Sequence, residues 1–452
     1  MPPLTYSNTQ GVGNPPTLEG TGYQAVEVLG KLLNFDENMS PFQDTACSFC
    51  HLPYAGFSGP IPSVNLTMVA YPGSFHFRAN KRTSQRYTYS PDFPVFEYNA
   101  EQGLFFGGNF WDARATGYKL QSPDSEQAQH PPVDTGEMMF PDTACIAFRL
   151  QSAAYKTLFE EVWGDSLDIR FPKDTEEICE TPGGNFPTAT PIELTPEDRA
   201  KANDVYDHWG QSISKFERSL RVSAFSSKFD AFLAGNYTMT SDEMAGYKLF
   251  DGKGNCNSCH LDGRSTLCTA QQYGCSPTSS SLTDTGTKAL VRPVFTCFGY
   301  ANEGLPLNPR VALFYETTPD FFGFTPNPFG FGYRDLGLGN FLRSGFGSAT
   351  NPNSTWTQFA PSVDGQFQVA TARDVALTPP QCPTTEAPGP YFQKEFFHGG
   401  YIKSLKQLVH FYNTRRVSVP WRHVGTLPGG NDRKGELLAG ARGSEQHRHD
   451  DR

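Results

Sequence analysis

Two short stretches of this chain carry reactive residue types at a chemically meaningful spacing: Cys47-Ser48-Phe49-Cys50-His51 and Cys256-Asn257-Ser258-Cys259-His260. In each, two thiols stand three residues apart and an imidazole follows the second thiol directly. This is the attachment pattern of c-type haem, in which the thiols add across the two vinyl groups and the neighbouring imidazole swings under the iron as its proximal ligand. Spacing alone leaves two other uses open. Four cysteines can share one Zn²⁺, and either pair can cycle between dithiol and disulfide. Neither use requires a histidine after both second cysteines. The expectation is therefore two covalently bound haems c, attached at Cys47, Cys50, Cys256 and Cys259, with His51 and His260 as iron ligands.

The other six cysteines are Cys145, Cys179, Cys268, Cys275, Cys297 and Cys382. Six allow 15 pairings, and the sequence does not choose among them. Haem is attached covalently outside the bacterial cytoplasm, where disulfides also persist. The expected compartment is periplasmic or secreted. Met1-Pro2-Pro3 opens neither a basic nor an apolar segment, so an export signal is expected to be absent from this chain.

The elements that must position these groups can be read around them. Of 452 residues, 43 are Gly and 36 are Pro, while aromatics reach 13% with 37 Phe; this describes a packed, loop-rich globule in which long helices do not dominate. The net charge of −10, without a basic run, argues against nucleic acid and favours cationic partners. No apolar run reaches the ~18 residues of a membrane span.

The motifs lie about two hundred residues apart, which suits one haem per domain. Gly22 to Leu33 places Val26, Leu29, Leu32 and Leu33 on one helical face ahead of the first motif. Ahead of the second, Gly246 to Phe250 closes a similar segment, whose start is signalled by Thr240-Ser241-Asp242-Glu243. Glu180 to Pro196 is rich in Pro, Gly and Thr, as linkers are. The predicted fold is mainly α: two cytochrome c-like domains in tandem, residues 1–185 and 186–452, with extensive loops. A long helix opens at Thr195-Pro196 and runs to about Leu220, with Ala200, Val205, Trp209, Ile213, Phe216 and Leu220 on its apolar face. Val294 to Asn353 shows no dominant period and is read as irregular coil. The charged tail after Leu427 is read as frayed, with His447 and His449 solvated.

Further segments carry a resemblance. Leu29-Gly30-Lys31-Leu32-Leu33, Phe110-Trp111-Asp112-Ala113-Arg114-Ala115, Gln127-Ala128, Pro131 and Glu137-Met138 follow one another at recognisable spacing. So do Ser226-Ser227-Lys228-Phe229-Asp230, Leu249-Phe250, Thr371 to Pro380 and Phe397-His398-Gly399-Gly400, the last two separated by an insertion of about 15 residues containing Cys382. Together with the two haem motifs, this pattern resembles the bacterial dihaem cytochrome c peroxidase and MauG superfamily over most of the chain. In that family, the residue seven after the leucine of Leu405-Lys406-Gln407-Leu408-Val409-His410-Phe411-Tyr412 is commonly the methionine ligand of the second haem. Here it is Tyr412, as in the MauG-like branch. Independently of any alignment, the seven methionines are Met1, Met39, Met68, Met138, Met139, Met239 and Met244, so none follows His260.

The resemblance implies roles. His51 holds the peroxide-reactive haem, and His260 with Tyr412 holds the second iron. Glu137 moves the proton that O–O cleavage requires, Gln127 orders the bound water or peroxide, Pro131 closes the distal face without ligating, and Trp111 relays charge between the haems. A thioether favours Fe(II), whereas a phenolate favours higher oxidation states, so Tyr412 suits a centre that stores oxidising equivalents. A MauG-like protein would draw electrons from a partner protein that it oxidises; a scavenging peroxidase would draw them from a small redox protein; a non-catalytic electron carrier would have both irons six-coordinate. The family often holds Ca²⁺ between its domains. In many members a His near the position of His76 caps the first haem; on its own, His76 reads as a surface histidine. A Trp just before the second motif, used by MauG in charge hopping, has no counterpart in Phe250 to Asn255.

Overall fold

The computed structural model describes residues 24–59, 61, 64–65, 68–164, 167–183, 189–262, 293–345, 354–377 and 395–414. Helices joined by long loops dominate, and the few strands are two or three residues long. No helix among the described residues is long and apolar enough to cross a membrane.

The helix before the first motif is Ala25–Asn34, opened by a capping box in which Gln24 and Glu27 satisfy each other's backbone N–H groups. It buries Val26, Leu29 and Leu33, whereas Leu32 is 38% exposed because it falls one step beyond the stripe. Its partner is the Pro196–Arg218 helix, capped by the Thr195 side chain and begun with Pro. There the buried stripe is Ala202, Val205, Trp209, Ile213 and Phe216. Ala200 lies outside the stripe and is exposed, and Leu220 lies past the helix end and is 39% exposed. The two helices touch at Gly30, where an added Cβ would sit 1.9 Å from the Ser212 carbonyl oxygen. Around this crossing Met39, Phe140, Ile146, Leu150 and Phe159 complete the main core.

Residues 96–112 are sewn to the later part of the chain. The Glu97–Asn99 and Leu104–Phe106 strands form an antiparallel hairpin, Phe106 bridges to Gly299, and Gln368 N–H donates to the Trp111 carbonyl oxygen. Phe96 and Phe105 pack with Tyr300, Leu338, Leu342 and Trp356 in a second, largely aromatic core. Within the stretch read as coil, Leu338–Arg343 is a helix that supplies two of those residues and Tyr300–Ala301 is a short strand paired with Phe367–Gln368; its other described residues are loop and short 3₁₀ turns. Arg82 pins the seam electrostatically, reaching Asp112 at 2.6 Å and Asp335 at 2.7 and 2.8 Å.

Cys145 and Cys179 form a disulfide that ties the Ala144–Ser152 helix to Thr175–Cys179. Cys297 is buried, forms no disulfide and meets the Cys259 thiol, and Cys268, Cys275 and Cys382 lie outside the described residues, as do His447 and His449. The closed loop has a sequence separation of 34. Removing this link by paired Ala substitution is expected to lower unfolding free energy by about 2–4 kcal/mol. The shift of the denaturation midpoint reads it, and an unchanged midpoint would show that the link adds nothing.

Candidate redox centres

The two Cys-x-x-Cys-His segments are built alike although one is helical and the other a 3₁₀ turn. Cys47–Cys50 is a single helical turn, and His51 N–H closes back on the Cys47 carbonyl oxygen at 3.1 Å before the chain leaves the helix. Cys256–Ser258 is the 3₁₀ turn, preceded by Asn255 at φ +51°, and His260 N–H closes on the Cys256 carbonyl oxygen at 2.9 Å. In both, the imidazole Nδ1 meets a backbone carbonyl: Phe57 O at 3.2 Å from His51 and Phe295 O at 2.8 Å from His260. A carbonyl only accepts, so Nδ1 carries the proton and Nε2 keeps its lone pair for a metal. Burial lowers both imidazoles, His51 to about 4, so each is neutral at physiological pH, as an iron ligand must be.

The four motif thiols form no disulfide, and burial pushes Cys47 up to about 12. They do not converge: among the described residues no cluster of three or more His, Cys, Asp or Glu could hold a metal ion, which removes the shared-zinc reading. Beside the second motif, Phe229, Tyr247 and Phe250 surround Phe295 at ring distances of 5.1 to 5.7 Å or through one another. The helices Lys228–Leu233, Ser241–Asp251 and Leu405–Thr414 bury none of their residues and present Leu233, Leu249, Val409 and Tyr412. Thiols outside any disulfide and neutral histidines held through Nδ1 fit a covalently attached haem at each motif.

Gln127, Pro131 and Glu137 fall on one folded turn. Ser122 caps the Pro123–Ala128 helix that carries Gln127. Glu126 locks that helix in place by accepting the N–H groups of Gly117, Lys119 and Leu120 at 2.7 to 2.9 Å. The chain then reverses so that Met138 N–H reaches the Pro131 carbonyl oxygen at 3.0 Å. Glu137 faces the first motif, since its charge acts on both the Cys47 and Cys50 thiols. Its Oε1 accepts from Asn80 Nδ2 at 2.9 Å, while burial, then neighbouring Asp134, raises its carboxyl to about 8. His76 is turned outward, 64% exposed, with Nε2 3.4 Å from Asp44.

Trp111 lies at the seam, its Nε1 donating to the Thr83 carbonyl oxygen at 3.1 Å and its ring 6.3 Å from His398, which stacks on Phe367. It lines a cleft together with Arg86, Asn109, Thr371, Glu395 and Phe397. Tyr412 is 40% exposed, with its ring 6.0 Å from Phe397 and 5.8 Å from Phe411. The structure thus sets Glu137 within electrostatic reach of the first motif, Trp111 on the cleft, and Tyr412 beside Phe397; Gln127 and Pro131 lie on the chain segment that leads to Glu137. Asn80, Arg82 and Asp335 escaped the sequence reading; their partners lie 57, 30 and 253 residues away, and no local pattern marks them.

Comparison with known proteins agrees with this construction. A family model described as di-haem cytochrome c peroxidase matches residues 24–238. The methylamine utilization protein MauG of Paracoccus denitrificans is 26% identical over 86% of this chain and 74% of its own length. The cytochrome-c peroxidase IdrP1 of Denitromonas iodatirespirans is 22% identical over 90% of this chain and 74% of its own. Among solved structures, the diheme peroxidase BthA of Burkholderia thailandensis shares the fold with a TM-score of 0.58, at 21% identity, over 86% of this chain and 72% of that one.

Proposed function

Since the chain belongs to the dihaem cytochrome c peroxidase and MauG superfamily, we propose that it is a periplasmic MauG-like oxidoreductase, which takes two oxidising equivalents from hydrogen peroxide and spends them on a partner protein. The observation that carries the MauG-like reading is the second centre: no methionine follows His260, and Tyr412 occupies the position of the family's methionine. An anionic oxygen ligand there favours the oxidised metal, and the centre stores oxidising equivalents rather than electrons. Residues 1–185 carry the first haem and 186–452 the second.

Bound haem iron supplies the redox-active Lewis acid that polarises peroxide. The chain supplies the rest. His51, neutral and held by the Phe57 carbonyl oxygen, would hold the iron. Glu137, raised to about 8, stands near the ambient pH, where a carboxyl both takes and returns a proton effectively. Asn80 holds Oε1, which leaves Oε2 as the atom that would take and return the proton O–O cleavage requires. Gln127 orients the substrate by hydrogen bonding, and Pro131, with no N–H and no ligating atom, keeps water out. Trp111, which lines the cleft, carries charge from one centre to the other in this reading.

One feature favours a scavenging peroxidase instead: Phe250 to Asn255 offers no Trp for charge to leave by. In that reading a small redox protein supplies the electrons, and the net charge of −10 selects a cationic one.

The low-temperature electron paramagnetic resonance spectrum of the fully oxidised holoprotein tests both enzyme readings. A high-spin signal from an open first centre beside a low-spin second centre is expected. Two low-spin signals that do not respond to peroxide would make the protein an electron carrier.

A further inference from the structure

Behind the first motif, on the side of His51, two carboxyls meet in the protein interior. Asp124, on the Pro123–Ala128 helix, is 1% exposed and Glu217, on Pro196–Arg218, is 2% exposed. The two lie within hydrogen-bond reach of each other, yet neither Asp124 Oδ2 nor Glu217 Oε2 has a donor. Two buried carboxylates in contact cannot both stay ionised, and an acid–carboxylate pair satisfies both oxygens with one proton. Burial is the main force that raises both groups, and each raises the other or is held through it.

The surroundings connect the pair to the metal side and to the cleft. Tyr87 packs its ring 5.1 Å from that of His51, its hydroxyl reaches Asn34 at 3.2 Å, and both carboxyls act on its phenol. Asn109 Nδ2 donates to Ser90 Oγ and lies 3.5 Å from Asp124 Oδ1; Ser90 and Asn109 both line the cleft. The other groups facing the pair are Ser214 and Arg218 on the Glu217 helix and Cys47 on the motif turn, with Asp92 3.6 Å from Arg218. Cys47 no longer titrates once it is a thioether.

We propose that Asp124 and Glu217 are a proton-accepting site coupled to the first haem, sharing one proton in the ferric protein and taking up a second as an electron enters that haem. In the balanced step an external one-electron reductant reduces Fe(III) to Fe(II), and one proton passes from cleft water to Asp124 through the Ser90 hydroxyl, which Asn109 Nδ2 holds in place. The carboxylate–carboxylic acid pair becomes two carboxylic acids, so the interior gains no net charge. Oxidation runs the step backwards. The inference rests on the reading that the first haem is bound at His51, and it does not depend on peroxide chemistry.

Spectroelectrochemical titration of the holoprotein at several pH values, with no peroxide present, tests it. In the wild type the midpoint potential of the His51 haem is expected to fall as pH rises through the neutral range. Asp124→Asn, which keeps the size and hydrogen bonding of the site, should raise that midpoint and abolish the portion of the slope due to the pair, leaving the second haem unmoved as an internal control. A wild-type midpoint independent of pH, or an Asp124→Asn slope equal to the wild type, would overturn the proposal. Redox-difference infrared spectroscopy of the wild type serves if the variant does not fold. Reduction should add a protonated-carboxyl C=O band that shifts in D₂O, and its absence would count equally against the pair. Loss of peroxide reactivity with an intact slope would instead count only against the peroxidase reading.

Discussion

Glu137→Gln is expected to slow the reaction of the holoprotein with hydrogen peroxide by about 10²–10⁴-fold, the usual contribution of a positioned acid–base group, with haem content unchanged. Gln fills the same space and still meets Asn80, but it cannot take a proton from one oxygen and give it to the other. The pH profile gives a second handle. Burial, then Asp134, raises this carboxyl to about 8, so it is protonated over most of the neutral range and becomes a base as pH climbs through about 8. The stopped-flow rate in the wild type should therefore rise with pH towards that value and level off above it, and the step should vanish in Glu137→Gln. An unchanged rate in the variant would remove Glu137 from the chemistry.

Tyr412→Met is expected to move the second centre most. A neutral thioether in place of an anionic oxygen favours Fe(II), so the midpoint potential of the His260 haem should rise by a few tenths of a volt, within the roughly 0.8 V that axial ligands span. With the potential raised, the centre gives up its capacity to hold an oxidising equivalent, and the product formed with peroxide should decay quickly. Tyr412→Phe separates ligation from packing, because the ring stays against Phe397 and Phe411 while the oxygen is lost. If both variants keep the wild-type potential, Tyr412 is a packing residue of the Leu405–Thr414 helix.

Local signals in the sequence located much of this arrangement. The two Cys-x-x-Cys-His motifs carry their chemistry in five residues. The Val26–Leu29–Leu33 and Val205–Trp209–Ile213–Phe216 stripes show their helices through period alone, and the Thr240–Glu243 start signal became a capping box on Ser241–Asp251. Stripe edges were misjudged at Leu32, Ala200 and Leu220, where one more step along the chain turns a side chain to solvent. Leu338–Arg343 was invisible: six residues complete less than two turns, and the helix starts from Gly337 at φ +55° within a Gly- and Phe-rich stretch. Asn80 beside Glu137, Arg82 between Asp112 and Asp335, and the Asp124–Glu217 contact join segments that only tertiary packing brings together. The Cys145–Cys179 link was one choice among many for the same reason.

Adding one equivalent of hydrogen peroxide to the fully oxidised holoprotein, without any reductant, tests the central claim most directly. A second centre that stores oxidising equivalents predicts immediate conversion, at both haem bands, to a state lasting well beyond mixing and decaying faster once a protein substrate is present. A protein that stays unchanged until its second haem has first been reduced would contradict the claim and leave an electron-fed scavenger in its place.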